Sequence, residues 1–205
     1  LDTKIKEMLS PKKSLDILRK TDALLEGHFV LSSGLHSSKY IQCAKLLSQP
    51  YLAEKICRSL ASKIKKRFKK IDLILAPAMG GIVIGYEIGR ILKKETIFCE
   101  RVKGKFTLRR GFNIRKGMKV LIIEDVITTG KSSLECVKLI RDSKAKLLGF
   151  ASLIDRSSKQ TLKIKKRIVS QLKISVPIYK KKKLPKNLIL IPVTKPGSRF
   201  IKWNV

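Results

Sequence analysis

Apolar residues along this chain fall into short unbroken runs that alternate with stretches of three- and four-residue spacing. The runs Leu73-Ile74-Leu75-Ala76, Thr96-Ile97-Phe98-Cys99, Val120-Leu121-Ile122-Ile123 and Leu147 to Ile154 predict strands covered on both faces, as in parallel sheets. Between them lie helical periods. Ala53, Ile56, Leu60, Ile64 and Phe68 follow Pro50, Ile82 to Leu92 continue the pattern, and Leu134, Val137 and Ile140 mark a helix over 132–141. The first 21 residues read as a basic helix with Ser14 as N-cap before Leu15, Ile17 and Leu18. Phe29 and Leu31 alternate toward a turn at Ser33-Gly34, with Tyr40-Ile41 opening a second short strand. Leu172 to Ile178 alternate once more, and Pro177 argues for an edge position. Strands alternating with helices predict an α/β fold, a mostly parallel central sheet with helices on both faces. No repeat and no long linker divides residues 1–205, so one domain is expected.

Gly81, Gly85 and Gly89 stand four apart and give the second predicted helix a smooth face that can approach the sheet closely. The helix over 50–70 carries Lys55, Arg58, Lys63, Lys66 and Arg67 on its outer side. Such a face could lie on a membrane or nucleic acid, but a solvated outer helix is the simpler reading.

Charge changes the picture most. Lys and Arg total 47 against 15 Asp and Glu, a formal net charge of +32, which attracts polyanions and suits a substrate bearing several phosphates. The lysines are spread along the whole chain, as the compositional bias of an AT-rich genome would leave them, so no specific nucleic-acid partner is expected. No apolar run nears 18 residues, and a charged start shows no signal segment, so neither a membrane span nor export is expected. Leu1 in place of Met points to an unusual or trimmed start. Cys43, Cys57, Cys99 and Cys136 are scattered without a C-x-x-C pair, which fits a reducing cytoplasm. His28 and His36 lack partners at metal spacing and read as turn histidines.

The chemistry concentrates after the run Val120 to Ile123. Glu124 and Asp125 place two carboxylates at the carboxyl end of a buried strand, where open α/β sheets bind ligands. Val126, Ile127, Thr128, Thr129, Gly130, Lys131 and Ser132 then lead into a helix, and a turn of small polar residues at a helix N-terminus is an anion site. Acids for ring hydroxyls beside a phosphate cradle are what a sugar phosphate asks for. Gly130-Lys131-Ser132 looks like the end of a P-loop, but the pattern's first glycine falls on Asp125, whose charge would repel phosphates. The bland alternative is a buried strand that ends in solvated acids before an ordinary helix cap. Met79-Gly80-Gly81 forms a short loop after a strand without the G-x-G-x-x-G fingerprint. Residues 100–117 hold Arg101, Lys103, Lys105, Arg109 and Arg110 between glycines, as a mobile lid over a polyphosphate would. Arg156 ends the strand at Ile154-Asp155, and its planar fork suits a carboxylate.

Two acids followed by Val-Ile-Thr-Thr-Gly after an apolar strand resemble the 5-phosphoribosyl 1-diphosphate signature of the type I phosphoribosyltransferases. Phe29 to Gly34 with Ser38 and Tyr40 is similar to the amino-terminal hood of orotate phosphoribosyltransferases, and Leu108-Arg109-Arg110-Gly111-Phe112 matches one branch of them, as does the tail Lys195 to Arg199. The resemblance covers residues 22 to 156 and the tail. It implies the type I fold, with a hood from about 1–45 and 157–205 over a core of about 46–156. It implies transfer of phosphoribose from its diphosphate to orotate, with Mg²⁺ held by substrate rather than by protein ligands, in a homodimer. Residues 124–132 would hold the donor, Met79 to Gly81 would meet its pyrophosphate through main-chain N–H groups, and Thr128 and Arg156 would contact orotate. Arg101, Lys103 and Lys105 would be the catalytic lid cations, with Asp125 catalytic beside the ribose. A purine phosphoribosyltransferase of the same fold and a non-catalytic, nucleic-acid-binding sensor of the donor are the competing readings.

Overall fold

The computed structural model describes residues 8–31, 33–158, 162–165 and 167–196. Ser32 and the tail from 197 onward therefore lie outside the described residues, as does the start of the expected first helix. Helix α1 (Pro11–Lys20) leads to strands β1 (Leu24–Val30) and β2 (His36–Ile41), then helices α2 (Cys43–Leu47) and α3 (Pro50–Arg67). There follow β3 (Leu73–Pro77), α4 (Gly80–Leu92), β4 (Glu95–Val102), β5 (Lys105–Leu108), β6 (Lys119–Ile127), α5 (Lys131–Asp142), β7 (Lys146–Asp155) and β8 (Ile168–Lys173). Two short strands, β9 (Ile178–Tyr179) and β10 (Val193–Thr194), flank α6 (Lys186–Ile189).

Six strands form the main sheet in the order β5-β4-β3-β6-β7-β8. Every neighbouring pair is parallel except β4 and β5, so the expected mostly parallel sheet is present. Alternation along β6 divides its side chains between two cores. Leu121 and Ile123 pack with Leu60, Ile64, Ile84 and Ile88 of α3 and α4, whereas Val120 and Ile122 pack with Cys136 and Ile140 of α5. Helices thus cover both faces. From β3 the chain crosses through α4 to β4 on one side; from β6 it crosses through α5 to β7 on the other. The order reverses between β3 and β6, and the carboxyl ends of these two strands form the crevice in which such sheets bind ligands.

Helix α4 sits close because its sheet-facing positions lack side chains. A Cβ at Gly81 would lie 3.0 Å from the Ile123 carbonyl oxygen and one at Gly85 2.7 Å from the Ala76 Cβ, while one at Gly89 would overlap the Thr96 hydroxyl. The expected smooth helix face is real, and it seats the start of α4 against β6.

A second sheet, in the order β10-β1-β2-β9, joins segments from both ends of the described chain. The expected boundary at 157 does not hold for its carboxyl-terminal part: β8 pairs with β7 in the main sheet, and the chain reaches the small sheet only at β9. Burial decides this, because Val169 and Leu172 pack into the core of α1 and α3. Pro177 stands just before β9 rather than inside a strand, and its carbonyl accepts from the Ser37 hydroxyl at 2.8 Å.

Three smaller expectations change. Ser10, not Ser14, caps α1: its side chain accepts from the Lys13 N–H, and Pro11 behind it suits a first helical position. Ser14 is buried inside the helix and accepts from Gln171 Nε2 at 2.9 Å. The histidines are partners, with His28 Nε2 and His36 Nδ1 2.7 Å apart. With His28 neutral, its Nδ1–H donates to the Ile191 carbonyl and Nε2 accepts from His36, which ties β1 and β2 to the segment before β10.

Replacing Gly85 by Val should destabilise the protein by about 2–3 kcal/mol, the usual cost of overpacking. Urea unfolding measures it, and a change below about 0.5 kcal/mol would mean that α4 does not rest on β3 as described.

Candidate functional site

Strand β6 runs past its apolar stretch, so Glu124 and Asp125 lie within the sheet rather than beyond it, with Glu124 opposite Ser152 of β7. Both side chains are only partly exposed. Burial pushes the Glu124 carboxyl up to about 7; a hydrogen bond from the Ser133 hydroxyl works against that rise, and the neighbouring Asp125 charge adds to it. Burial likewise raises Asp125, held back by the Val126 N–H donating to its Oδ1 at 2.8 Å. Two acids in a partly dehydrated crevice hold their full hydrogen-bonding strength for a ligand that displaces the remaining water.

Thr128 and Thr129 leave the sheet, Gly130 turns the chain at φ +73°, and α5 begins at Lys131. Only glycine suits Gly130 twice over: the positive φ disfavours a side chain, and a Cβ would lie 2.5 Å from Ile164 Cδ1. The loop is pinned from both sides at Thr129, whose hydroxyl accepts from the Lys131 N–H at 3.3 Å and whose carbonyl accepts from the Lys163 N–H at 3.0 Å. Glu124 and residues 126–132 line a cavity of about 160 Å³. One carboxylate therefore faces the same small space as the first amides of α5, where the helix dipole favours an anion.

The short loop after β3 comes to the same place. A Cβ at Gly80 would lie 2.6 Å from Asp125 Oδ2, and one at Gly81 would crowd the Ile123 carbonyl. Met79, joined to Ala78 by a cis peptide bond, is largely exposed above it. Residues 79–81, far from β6 in sequence, thus lie against the acid pair.

Arg156 follows β7, its N–H donating to the Ile127 carbonyl at 2.8 Å. Burial lowers its pKa, and Tyr40 and Cys43 are the groups that act on it electrostatically. Its Nε is buried and has no hydrogen-bond partner among the described residues. The Cys43 sulfur also lies 4.0 Å from the Asp125 carbonyl, so Arg156, the β2–α2 junction and the acid pair are neighbours. A buried donor without an acceptor costs free energy unless a ligand supplies one.

The basic segment differs from the expected open loop over residues 100–117. Much of it is a hairpin: β4 and β5 pair with Val102 opposite Lys105, and Lys103 and Gly104, both at positive φ, make the two-residue turn. Arg101 is engaged, its Nη1 2.7 Å from Glu135 Oε2 of α5 and its guanidinium stacked 4.2 Å from the Phe106 ring centroid. Lys103 and Lys105 are exposed. None of the three lines the cavity at residues 126–132, so the structure gathers Met79 to Gly81 and residues 124–132 but leaves Arg101 and Lys105 beside α5 and Lys103 in the hairpin turn. The polar turn that the sequence offers as an anion site extends to Ser133, whose hydroxyl donates to Glu124 rather than facing the cavity alone. Sequence reasoning gave no role to Cys43 or Glu135, since neither stands in a motif and each is placed by a distant partner.

The phosphoribosyl transferase domain family matches residues 45–181. The orotate phosphoribosyltransferase of Parvibaculum lavamentivorans is 44% identical over 194 residues, covering 94% of this chain and all of that one. Among solved structures, orotate phosphoribosyltransferase from Aeropyrum pernix superposes with a TM-score of 0.66 at 24% identity, over 78% of this chain and 92% of that one. Adenine phosphoribosyltransferase from Thermoanaerobacter pseudethanolicus does so with 0.57 at 18% identity, over 66% and 88%, so the fold alone does not choose the base. The fold, the domain match and the full-length sequence relative together place the chain in the phosphoribosyltransferase family, in its orotate phosphoribosyltransferase branch.

Proposed function

We propose that the protein transfers the 5-phosphoribosyl group from its 1-diphosphate to orotate, giving orotidine 5′-monophosphate and pyrophosphate. The observation that carries this is the single crossover from β6 to α5, which sets buried acids beside a phosphate-sized cradle. The amides and hydroxyls of Thr128 to Ser132 hold the 5′-phosphate. Glu124 and Asp125 accept hydrogen bonds from the ribose hydroxyls. As the anomeric carbon's bond to the diphosphate breaks, positive charge grows on the ribose next to these carboxylates and negative charge on the departing oxygens. Met79 to Gly81 offer main-chain N–H groups to the diphosphate, and Arg101, Lys103 and Lys105 reach it when the hairpin closes as a lid. The ring nitrogen of orotate completes the new bond at the anomeric carbon. Arg156 supplies its unpartnered Nε–H to the orotate carboxylate, with Thr128 beside it.

The donor's oxygens would hold Mg²⁺, with the hard carboxylate oxygens of Glu124 and Asp125 the chain's own groups suited to it, and the ion would supply charge neutralisation for the leaving diphosphate. The small sheet serves as the hood over the crevice and the β4–β5 hairpin as the lid, within one domain. A second copy covers the exposed apolar side chains of Met79, Val83, Tyr86 and Tyr51, which gives a homodimer. Four free, buried cysteines suit a reducing cytoplasm, and among the described residues no helix is long and apolar enough to cross a membrane.

Turnover assays with orotate, adenine, hypoxanthine and xanthine test the base, and activity confined to a purine would refute the proposal. Arg156→Ala should raise KM for orotate about a hundredfold more than KM for the donor, as expected for losing a charged partner in a buried pair; equal effects would remove Arg156 from the base site. Glu124 accepts from a hydroxyl far more strongly when ionised, so kcat/KM for the donor should rise with pH through about 7. Glu124→Gln should flatten that limb, and an unchanged profile would contradict the ribose assignment.

A further inference from the structure

A cavity larger than the phosphate cradle lies elsewhere among the described residues. A space of about 700 Å³ lies between the β4–β5 hairpin, the exposed face of α5 and Lys163. From α5 it takes Lys131, Leu134, Glu135, Lys138, Leu139 and Asp142. These follow the three-and-four spacing of one helix face, so the groove runs along roughly 16 Å of helix at 1.5 Å per residue. Its apolar part is Leu134, Leu139 and Phe106 of the hairpin, with Leu134 already 36% exposed.

Four lysines surround that apolar strip: Lys105 from the hairpin, Lys131 and Lys138 from α5, and Lys163. Of the two acids, Glu135 is neutralised by Arg101 at 2.7 Å, which leaves Asp142 at the far end of the helix. The groove therefore has a net positive charge and asks for an anion. It is also much larger than a phosphate ion and falls within the size range of small-molecule sites. Two of its lysines belong to the phosphate loop's supports, since the backbone N–H groups of Lys131 and Lys163 both bond to Thr129.

We propose that this groove binds a nucleoside monophosphate, the phosphate among the lysines near Thr129 and the flat base on Leu134, Leu139 and Phe106. Asp142 and the Thr107 hydroxyl accept from sugar hydroxyls or an exocyclic amine. A ligand there touches the hairpin and α5 together, so it holds the hairpin down on α5 and away from the crevice. Binding itself stands apart from the reaction proposed above; inhibition of turnover rests on that reading.

Isothermal titration of uridine and adenosine 5′-monophosphates into the full chain tests it, with uridine and inorganic phosphate as controls. Both nucleotides should bind at least about tenfold more tightly than either control, and Lys138→Glu should weaken them about tenfold or more. Orotate turnover without nucleotide should stay unchanged in Lys138→Glu, while Asp125→Asn should leave nucleotide binding intact. Nucleotide binding that vanishes in Asp125→Asn and survives Lys138→Glu would place the ligand in the crevice and overturn the proposal. Binding of inorganic phosphate as tight as that of the nucleotides, or no nucleotide binding at millimolar concentration, would overturn it as well. Nucleotide binding of the expected pattern in a protein that does not turn over orotate would leave the groove standing and sink only the proposed reaction.

Discussion

Burial of β6 on both faces forces a choice on the residues at its end. The strand must stay in the sheet long enough to pair with β7 through Ile127, yet the chain must begin α5 at Lys131. Glu124 and Asp125 are consequently held where water is scarce, and six residues after Asp125 the first amides of α5 face the same space. Carboxylates in such a place resist ionisation, as the rise of Glu124 to about 7 shows. A group that costs folding free energy when charged gains most from a ligand that donates to it.

The remaining architecture serves this crossover. The glycine face lets α4 lie close enough for Gly80 to touch Asp125, so the loop after β3 closes one side of the crevice. Because β3 and β6 send their crossovers to opposite faces, the space between their ends stays open. The junction of β2 and α2 brings Tyr40 and Cys43 to Arg156 on another side. Ile164 packs against Gly130, and the Lys163 N–H fixes Thr129, so the segment before β8 shapes the cradle as well.

Much of this was legible in the sequence, because four largely apolar runs and three helical periods map onto one mostly parallel sheet. The acid pair and the small polar turn were legible because local chemistry makes that site. What failed depended on distant partners. Ser14 looked like a cap, yet Pro11 makes Ser10 the better one and Gln171 claims Ser14. The alternation over Leu172 to Ile178 hid a strand that starts earlier, since Val169 packs, partly buried, against the core that α1 and α3 share. Basic residues 101–110 promised a lid, but spacing could not show that Glu135 holds Arg101 or that Lys103-Gly104 would turn a hairpin. His28 and His36 meet across β1 and β2, whose register shifts between Glu26 and Phe29, so no short-range pattern announces them.

The central claim assigns ring hydroxyls to the acids and the phosphate to the loop, which titration can separate. Affinities of ribose 5-phosphate and of its 2,3-dideoxy analogue should be compared in the wild-type protein and in Glu124→Gln/Asp125→Asn. The wild type should prefer the hydroxylated sugar by about tenfold or more, roughly the worth of one charged hydrogen bond, and the double variant should bind both equally. An undiminished preference in the double variant would contradict the account.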